Sequence, residues 1–261
     1  MKSILVIGGS DSSSGAGIQA DIKTISAFGL YATNIITAIT AQNSLGVQKI
    51  FSLPRGQVET QIASIISDIN FSCVKIGMLY NKNIINCVHH FLYNNSNSTP
   101  LVLDPIITAT DGKQLLKKNA LKELILKLFP LTSILTPNIP EAEIISGIKI
   151  KDVKDMKEAA RIIYSLGPKN VLITGGHLKS KKINSVLFNK NGFNVFITSK
   201  IRNTFTHGTG CALASALAVG LVKNQNIIKN IRISQKFVLN GIKKSHKIGK
   251  GQNFLNHFTF S

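Results

Sequence analysis

Short, largely apolar runs recur along this chain, each closed by a glycine or small polar residue and most followed by a stretch with helical spacing. Ile4 to Gly9, Asn34 to Ile39, Cys73 to Ile76, Leu101 to Leu103, Ile134-Leu135 and Val171 to Thr174 are such runs. They are too short for helices and largely apolar at consecutive positions, so each reads as a strand buried on both faces. Between them the spacing predicts helices over Gly15 to Phe28, with Ile18, Ile22 and Ile25 on one face, and over Arg55 to Ile69 and Asn83 to Tyr93. Further helices are predicted over Lys113 to Leu128, from Asn138, over Asp152 to Leu166, and from Thr209 and Asn226. Ser185 to Phe188 and Val195 to Thr198 read as a hairpin around Asn191-Gly192. Strands alternating with helices imply an α/β fold with a mostly parallel sheet. No linker or repeat divides the 261 residues, and 44% hydrophobic content supports a substantial core, so residues 1–261 are expected to form one domain.

In an open parallel sheet, ligands bind at the carboxyl ends of the strands. Ser10-Asp11, Gln42-Asn43, Gly77-Met78, Asp104, Asn138 and Gly175-Gly176 all fall there. With only twelve carboxylates in the chain, one directly after a strand stands out. Asp104, between the strand Leu101 to Leu103 and Pro105, suits magnesium. Asn138 and Glu141 stand three apart at a helix start, where they could reach a hydrated metal or phosphates, or form an ordinary capping box. Glu143 is read as solvated. Asp21, among small apolar residues, either accepts hydrogen bonds from a small substrate or is an exposed helix position. Gln42 either reads a substrate edge with its amide donor and acceptor or is a plain loop residue.

Thr206-His207-Gly208-Thr209-Gly210-Cys211 runs straight into the small-residue segment Ala212 to Val222. A helix beginning there aims unpaired N–H groups and its positive dipole end at an anion, which describes a phosphate cradle. Cys211 in its first turn is expected to have a lowered pKa and to act as a base. The competing reading is a turn with a helix cap and a core thiol.

Other nucleotide motifs fail. Gly15-Ala16-Gly17-Ile18-Gln19-Ala20 matches the dinucleotide fingerprint, but its first glycine lies six residues past the strand and Ile39 to Ser44 offers no acid for a ribose. A close-packed helix start is the better reading, and no P-loop sequence exists. The net charge of +19 raises nucleic acid as a partner. All the basic residues except Arg55, Arg161, Arg202 and Arg232 are Lys, however, scattered among Asn and Ile, so neither nucleic acid nor a membrane is expected. No apolar run is long enough for a bilayer, and Cys73, Cys87 and Cys211 form no CxxC pair. Reduced thiols and a cytoplasmic location are expected. His89, His90 and His177 show no metal-ligand spacing.

Taken in order, Gly9-Ser10-Asp11, the block from Gly15 to Asp21, Thr40-Ala41-Gln42-Asn43, Lys75-Ile76-Gly77-Met78 and Leu103-Asp104-Pro105 resemble the hydroxymethylpyrimidine/phosphomethylpyrimidine kinases of thiamine biosynthesis. Thr136-Pro137-Asn138, Pro140-Glu141-Ala142, Gly175-Gly176-His177 and the Thr206 to Cys211 segment extend the resemblance over nearly the whole chain. It implies a ribokinase-like three-layer α/β/α fold, a homodimer, and ATP and Mg²⁺ as co-substrate and cofactor. The substrate implied is 4-amino-5-hydroxymethyl-2-methylpyrimidine, phosphorylated first to the monophosphate and then to the pyrophosphate. Gln42 is then expected to read the aminopyrimidine edge, Asp21, Gly9 and Ala16 to line its polar side, and Met78 and Ile106 its apolar side. Asp104 and Glu141 would hold magnesium. Asn138, Thr174 and His207 fall to ATP and its phosphates, and Gly208, Thr209 and Gly210 to the transferring phosphoryl, with Cys211 as base. The chain departs from the family at Thr174, where a Lys is usual, at Phe205-Thr206, and at Asp111-Gly112 in the Thr108 to Lys113 flap. A pyridoxal or pyridoxine kinase is the nearest rival reading.

Overall fold

The computed structural model describes residues 1–261 except 96–98, 110, 177–181, 202–205 and 259–261. His177 and Phe205 therefore lie outside the described residues, as does position 110 of the flap.

Nine strands form one sheet. In chain order they are β1 (Ser3–Asp11), β2 (Tyr31–Asn43), β3 (Gly46–Ser52), β4 (Val74–Ile76), β5 (Leu101–Leu103), β6 (Ile134–Leu135), β7 (Asn170–Ile173), β8 (Lys182–Asn189) and β9 (Gly192–Ser199). Their spatial order is β3-β2-β1-β4-β5-β6-β7-β8-β9. The six from β2 to β7 run parallel, while β3, β8 and β9 add antiparallel margins.

Alternate residues of one strand enter different cores, which is why the central runs are apolar throughout. Leu5 and Ile7 pack with α2 (Arg55–Ile66), α3 (Lys82–Asn95), α4 (Leu121–Leu128), α5 (Ile139–Ser146) and α6 (Val153–Ser165). Ile4 and Val6 face the other way, onto α1 (Gly17–Ala27), α7 (Thr209–Val222) and α8 (Ile227–Lys243). The result is three layers, as expected. The helix α7 is buried almost all round, and its run of Ala, Leu and Val is what such a position requires.

Three elements depart from the sequence reading. Lys113 to Lys117 is not helical. The flap instead folds back through a Thr108–Gln114 bridge, and regular structure resumes with a short 3₁₀ turn at Lys118–Ala120 before α4. The edge strand β3 and a two-residue parallel ladder, β10 (Thr206–His207) with β11 (Asn253–Phe254), are additional. Among the described residues no helix is long and apolar enough to cross a membrane.

Because the chain steps from β1 out to β2 and returns to β4 on the other side of β1, the carboxyl ends of these strands part around a crevice. Gly17 and Gly208 bring the surrounding loops onto it. Both have positive φ, and a Cβ would meet the Gly9 carbonyl oxygen in the first case and that of Gly15 in the second. The Gly15-Ala16-Gly17 motif therefore serves backbone packing rather than a dinucleotide.

Candidate active site

A cavity of about 600 Å³ occupies the crevice. Gly9, Ala16, Gln42, Met78, Asp104, Ile106, Asn138, Glu141, Thr174 and the segment from Thr206 to Cys211 all line it, so residues from six separate strand ends do converge. One end is closed by Met78, Val47 and Leu115, with Ile106 and Ala109 of the flap packed on them. The flap is pinned there: Asp111 Oδ2 accepts from Val47 N at 2.8 Å, and Lys113 Nζ donates to the Gln48 carbonyl at 2.6 Å. The other end is walled by Ile183 and Ser185 of β8, Thr198 of β9, and Val238, Leu239 and Ile242 of α8. Sequence reasoning did not assign this second wall, because its residues are ordinary members of a hairpin and an amphipathic helix.

The first turn of α7 opens between the two ends. Gly208 caps it in the left-handed conformation, and the N–H groups of Thr209, Gly210 and Cys211 precede any intrahelical acceptor. Asp104 faces this turn, its Oδ2 lying 3.8 Å from where a Cβ on Gly210 would be.

Cys211 does not behave as expected. It is buried beneath the turn with the Gly17 N–H on its sulfur, and burial pushes the thiol up to about 12 despite the pull of Lys75. The helix N-terminus does not lower the thiol here, because loss of hydration outweighs it.

Asp21 also differs. It is 1% exposed, does not line the cavity, and is fully engaged: Lys75 Nζ lies 2.8 Å from Oδ1 and donates to Oδ2 at 2.9 Å, while Ser215 Oγ donates to Oδ1 at 2.7 Å. It cannot contact a substrate without breaking that pair. Its role is to hold Lys75, one of the largest fully buried side chains among the described residues, under the cavity floor. Burial works against the Lys75 charge, but the surrounding Asp21, Cys211 and Asp104 more than offset it and keep the ammonium protonated. Lys75 was missed, although a lone Lys inside the apolar run Cys73 to Ile76 was the available signal.

His207 is displaced from its expected nucleotide role. Its Nε2 lies 3.0 Å from Asp11 Oδ2 and 2.6 Å from the Gln42 side-chain amide, on the flap side of the cavity. Asp11 takes N–H bonds from Ser13, Gly15 and Ala16 besides. Burial alone would raise its carboxyl, but the bonds from His207, Ser13 and Ala16 win and hold it at about 2.

Asn138 and Glu141 form a complete capping box. Asn138 Oδ1 accepts from Glu141 N at 3.0 Å, and Glu141 Oε2 accepts from Asn138 N at 2.9 Å. Capping and the cavity are compatible, since the capped carboxylate still lines it. Burial and the neighbouring Asp104 charge raise Glu141 to about 8, and burial raises Asp104 to about 6 against Lys75, with Asp21 adding to the rise. Two carboxylates that resist ionising together form a site short of positive charge, which fits a divalent cation. Among the described residues no cluster of three His, Cys, Asp or Glu encloses a metal. Magnesium held by one or two carboxylates plus waters and phosphates needs none. Thr174 continues the β7 edge, bridges to Asn138 and lines the cavity.

Residues 11–256 match the family model described as phosphomethylpyrimidine kinase. The hydroxymethylpyrimidine/phosphomethylpyrimidine kinase of Haemophilus influenzae is 39% identical, covering 100% of this chain and 98% of that protein. The thiamine biosynthesis bifunctional protein of Geobacter sulfurreducens is 38% identical over 98% of this chain, which spans 52% of that longer protein. Among solved structures, the phosphomethylpyrimidine kinase of Clostridium difficile superposes with a TM-score of 0.81 at 42% identity, covering 92% of this chain and 98% of that one. The Staphylococcus aureus pyridoxal kinase in complex with AMP-PCP and pyridoxal gives 0.91 at 30% identity, covering 100% and 95%.

Proposed function

The chain belongs to the phosphomethylpyrimidine kinase family, and from that premise we propose that it phosphorylates 4-amino-5-hydroxymethyl-2-methylpyrimidine and then its monophosphate, with ATP as donor, in thiamine biosynthesis. The observation that carries this reading is the single cavity in which a flap-covered apolar and amide-lined end and a second end under α8 meet at the first turn of α7. Such a chamber suits two substrates joined at one phosphoryl group.

The pyrimidine lies at the flap end. Met78 and Ile106 hold its apolar side, Gly9 and Ala16 let it approach the backbone, and Gln42 reads the ring nitrogen and amino group. The nucleotide lies between α8 and the β8–β9 hairpin, with Asn138 and Thr174 on its phosphates. Magnesium held by Asp104 and Glu141 would neutralise phosphate charge. The hydroxymethyl oxygen attacks the γ-phosphorus, ADP leaves, and the hydroxyl proton passes to Cys211 in its thiolate form. Burial opposes that form and Lys75 favours it. The Thr209, Gly210 and Cys211 N–H groups, presented by the Gly208 cap, stabilise the charge on the transferring phosphoryl.

We also place the protein in the cytoplasm as one kinase domain spanning 1–261, binding no nucleic acid, since its lysines are scattered over the chain. A homodimer is supported by Ile39 and Phe51, which face each other across β2 and β3 and are 45% and 49% exposed. A monomeric mass by light scattering would remove it.

The superposition on pyridoxal kinase favours pyridoxal as a second substrate class. A coupled assay with the pyrimidine alcohol, its monophosphate and pyridoxal as separate substrates decides. Turnover of both pyrimidines is expected, and turnover of pyridoxal alone would replace the reading.

A further inference from the structure

One nitrogen of the cavity wall is claimed twice. His207 Nε2 stands 3.0 Å from Asp11 Oδ2 and 2.6 Å from the Gln42 amide. The Asp11 carboxylate can only accept, and Oδ2 already takes the Gly15 and Ala16 N–H groups at 3.1 and 2.8 Å. The proton between His207 and Asp11 therefore belongs to His207 Nε2. An Nε2 that carries it has no lone pair for an amide N–H, so the Gln42 NH₂ cannot be the end that faces it. Hydrogen-bond logic fixes which end of an amide is oxygen where heavy atoms alone do not.

We infer that His207 is a specificity-determining positioning residue, which locks the Gln42 amide with its oxygen toward the imidazole. The NH₂ then points toward Thr40 Oγ1, 3.1 Å from the amide atom on that side, and Thr40 passes its own proton to the Ser10 carbonyl at 3.1 Å. In this arrangement every contact along Asp11, His207, Gln42, Thr40 and Ser10 pairs a donor with an acceptor, whereas the opposite one sets the bare His207 Nε2 against Asp11 Oδ2 at 3.0 Å with no proton between them.

The lock deepens the proposed function and rests on it for the identity of the ligand. Gln42 keeps one N–H and one carbonyl lone pair free in the cavity, in a fixed order along its edge. A ring nitrogen beside an exocyclic amino group offers the complementary acceptor and donor. A ring that presents a hydroxyl where the amino group stands satisfies the carbonyl lone pair only by turning its own proton, and a ring without either group leaves it unmet. The ladder of β10 with β11 supports the lock from behind: it sets the backbone at His207, and the Phe254 ring stands edge-on to the imidazole at 6.3 Å.

The nitrogen spectrum of the wild-type protein tests the lock directly. A long-range ¹H–¹⁵N correlation is expected to show His207 protonated at Nε2, and a neutral ring protonated only at Nδ1 overturns it. Calorimetry with the pyrimidine alcohol and, separately, a non-hydrolysable ATP analogue tests the consequence. His207→Leu should weaken the alcohol about tenfold, the equivalent of one neutral hydrogen bond, and leave the analogue unchanged. His207→Gln, which restores an N–H near the same place, should recover most of that loss. Equal loss in both variants, or loss of the ATP analogue instead, overturns the assignment. If the wild-type protein fails to phosphorylate the alcohol, the functional reading falls, while the nitrogen spectrum still decides the lock.

Discussion

Asp11 and the Asp104–Glu141 pair line the same cavity, both out of solvent, and their surroundings drive them in opposite directions. Asp11 is saturated with donors and held at about 2, whereas Asp104 and Glu141 are raised to about 6 and about 8 by burial and by like charge. A carboxylate whose lone pairs are filled by its own chain has no capacity left for a ligand and works as scaffold. One left short of positive charge, as Glu141 is despite accepting the Asn138 and Ile107 N–H groups, keeps lone pairs for a cation. The same distinction separates Asp21, consumed by Lys75 and Ser215, from Asp104 close by. Sequence position alone does not tell which of them is already filled.

The contrast can be broken at several points. Cys211 lies where the two regions meet, and replacing a positioned proton acceptor removes about 10²–10⁴-fold. Cys211→Ala should lose that much kcat while keeping pyrimidine affinity. Because its thiol stands at about 12, wild-type kcat should climb with pH from 7 to 9 as the thiolate fraction grows, and the variant should not. A level wild-type profile removes the base role.

Lys75→Met leaves the buried Asp21 unpaired, and about 3–5 kcal/mol of stability should go, read by urea denaturation. Lys75→Met together with Asp21→Asn should recover much of it. No recovery would mean that the pair is not what Lys75 contributes.

Asp104→Asn should sharpen the comparison most cleanly, with kcat down by about 10²–10³-fold and the Glu141 carboxyl titrating lower, because the neighbouring like charge disappears. Loss of both activity and stability would place Asp104 with the saturated carboxylates.

Asp11→Asn should act through stability. Its folded pKa is depressed from 3.8, so its contribution is present above that pH and is lost as pH falls through about 2. The variant should be less stable by about 2 kcal/mol at pH 6 and should converge with the wild type near pH 2. A gap that persists in acid would point to lost packing instead. The smallest effect is expected from Gln42→Leu, with pyrimidine binding down about tenfold by calorimetry and ATP-analogue binding unchanged.

The central strands were legible because each is apolar enough on both faces to be recognised from a few residues, and β5 and β6 begin and end where expected. The edge strand β3 was not, since Gln48 and Lys49 face water and break the apolar run. The ladder of β10 with β11 is two residues long and has no period to detect. Lys113 to Lys117 carries helix-forming residues, but the flap's contacts with β3 win over local propensity. For the site, residue type and strand-end position placed Gln42, Met78, Asp104 and Glu141 in the cavity. They could not tell which charges were already paired. Asp21 meets Lys75 across 54 positions, and nothing local to either residue announces the other.

The bond from His207 to Asp11 joins positions 196 apart, and Gly208 rests on Gly15 over a similar span. Contacts of such long separation are the last and slowest for a folding chain to make, because the loop they close costs entropy before any contact repays it. The chamber for the two substrates is therefore absent from every partly folded form that lacks this closure. Ligand binding should select the finished chain, and the rate at which binding competence returns after dilution from denaturant should follow this single closure rather than the earlier growth of helices.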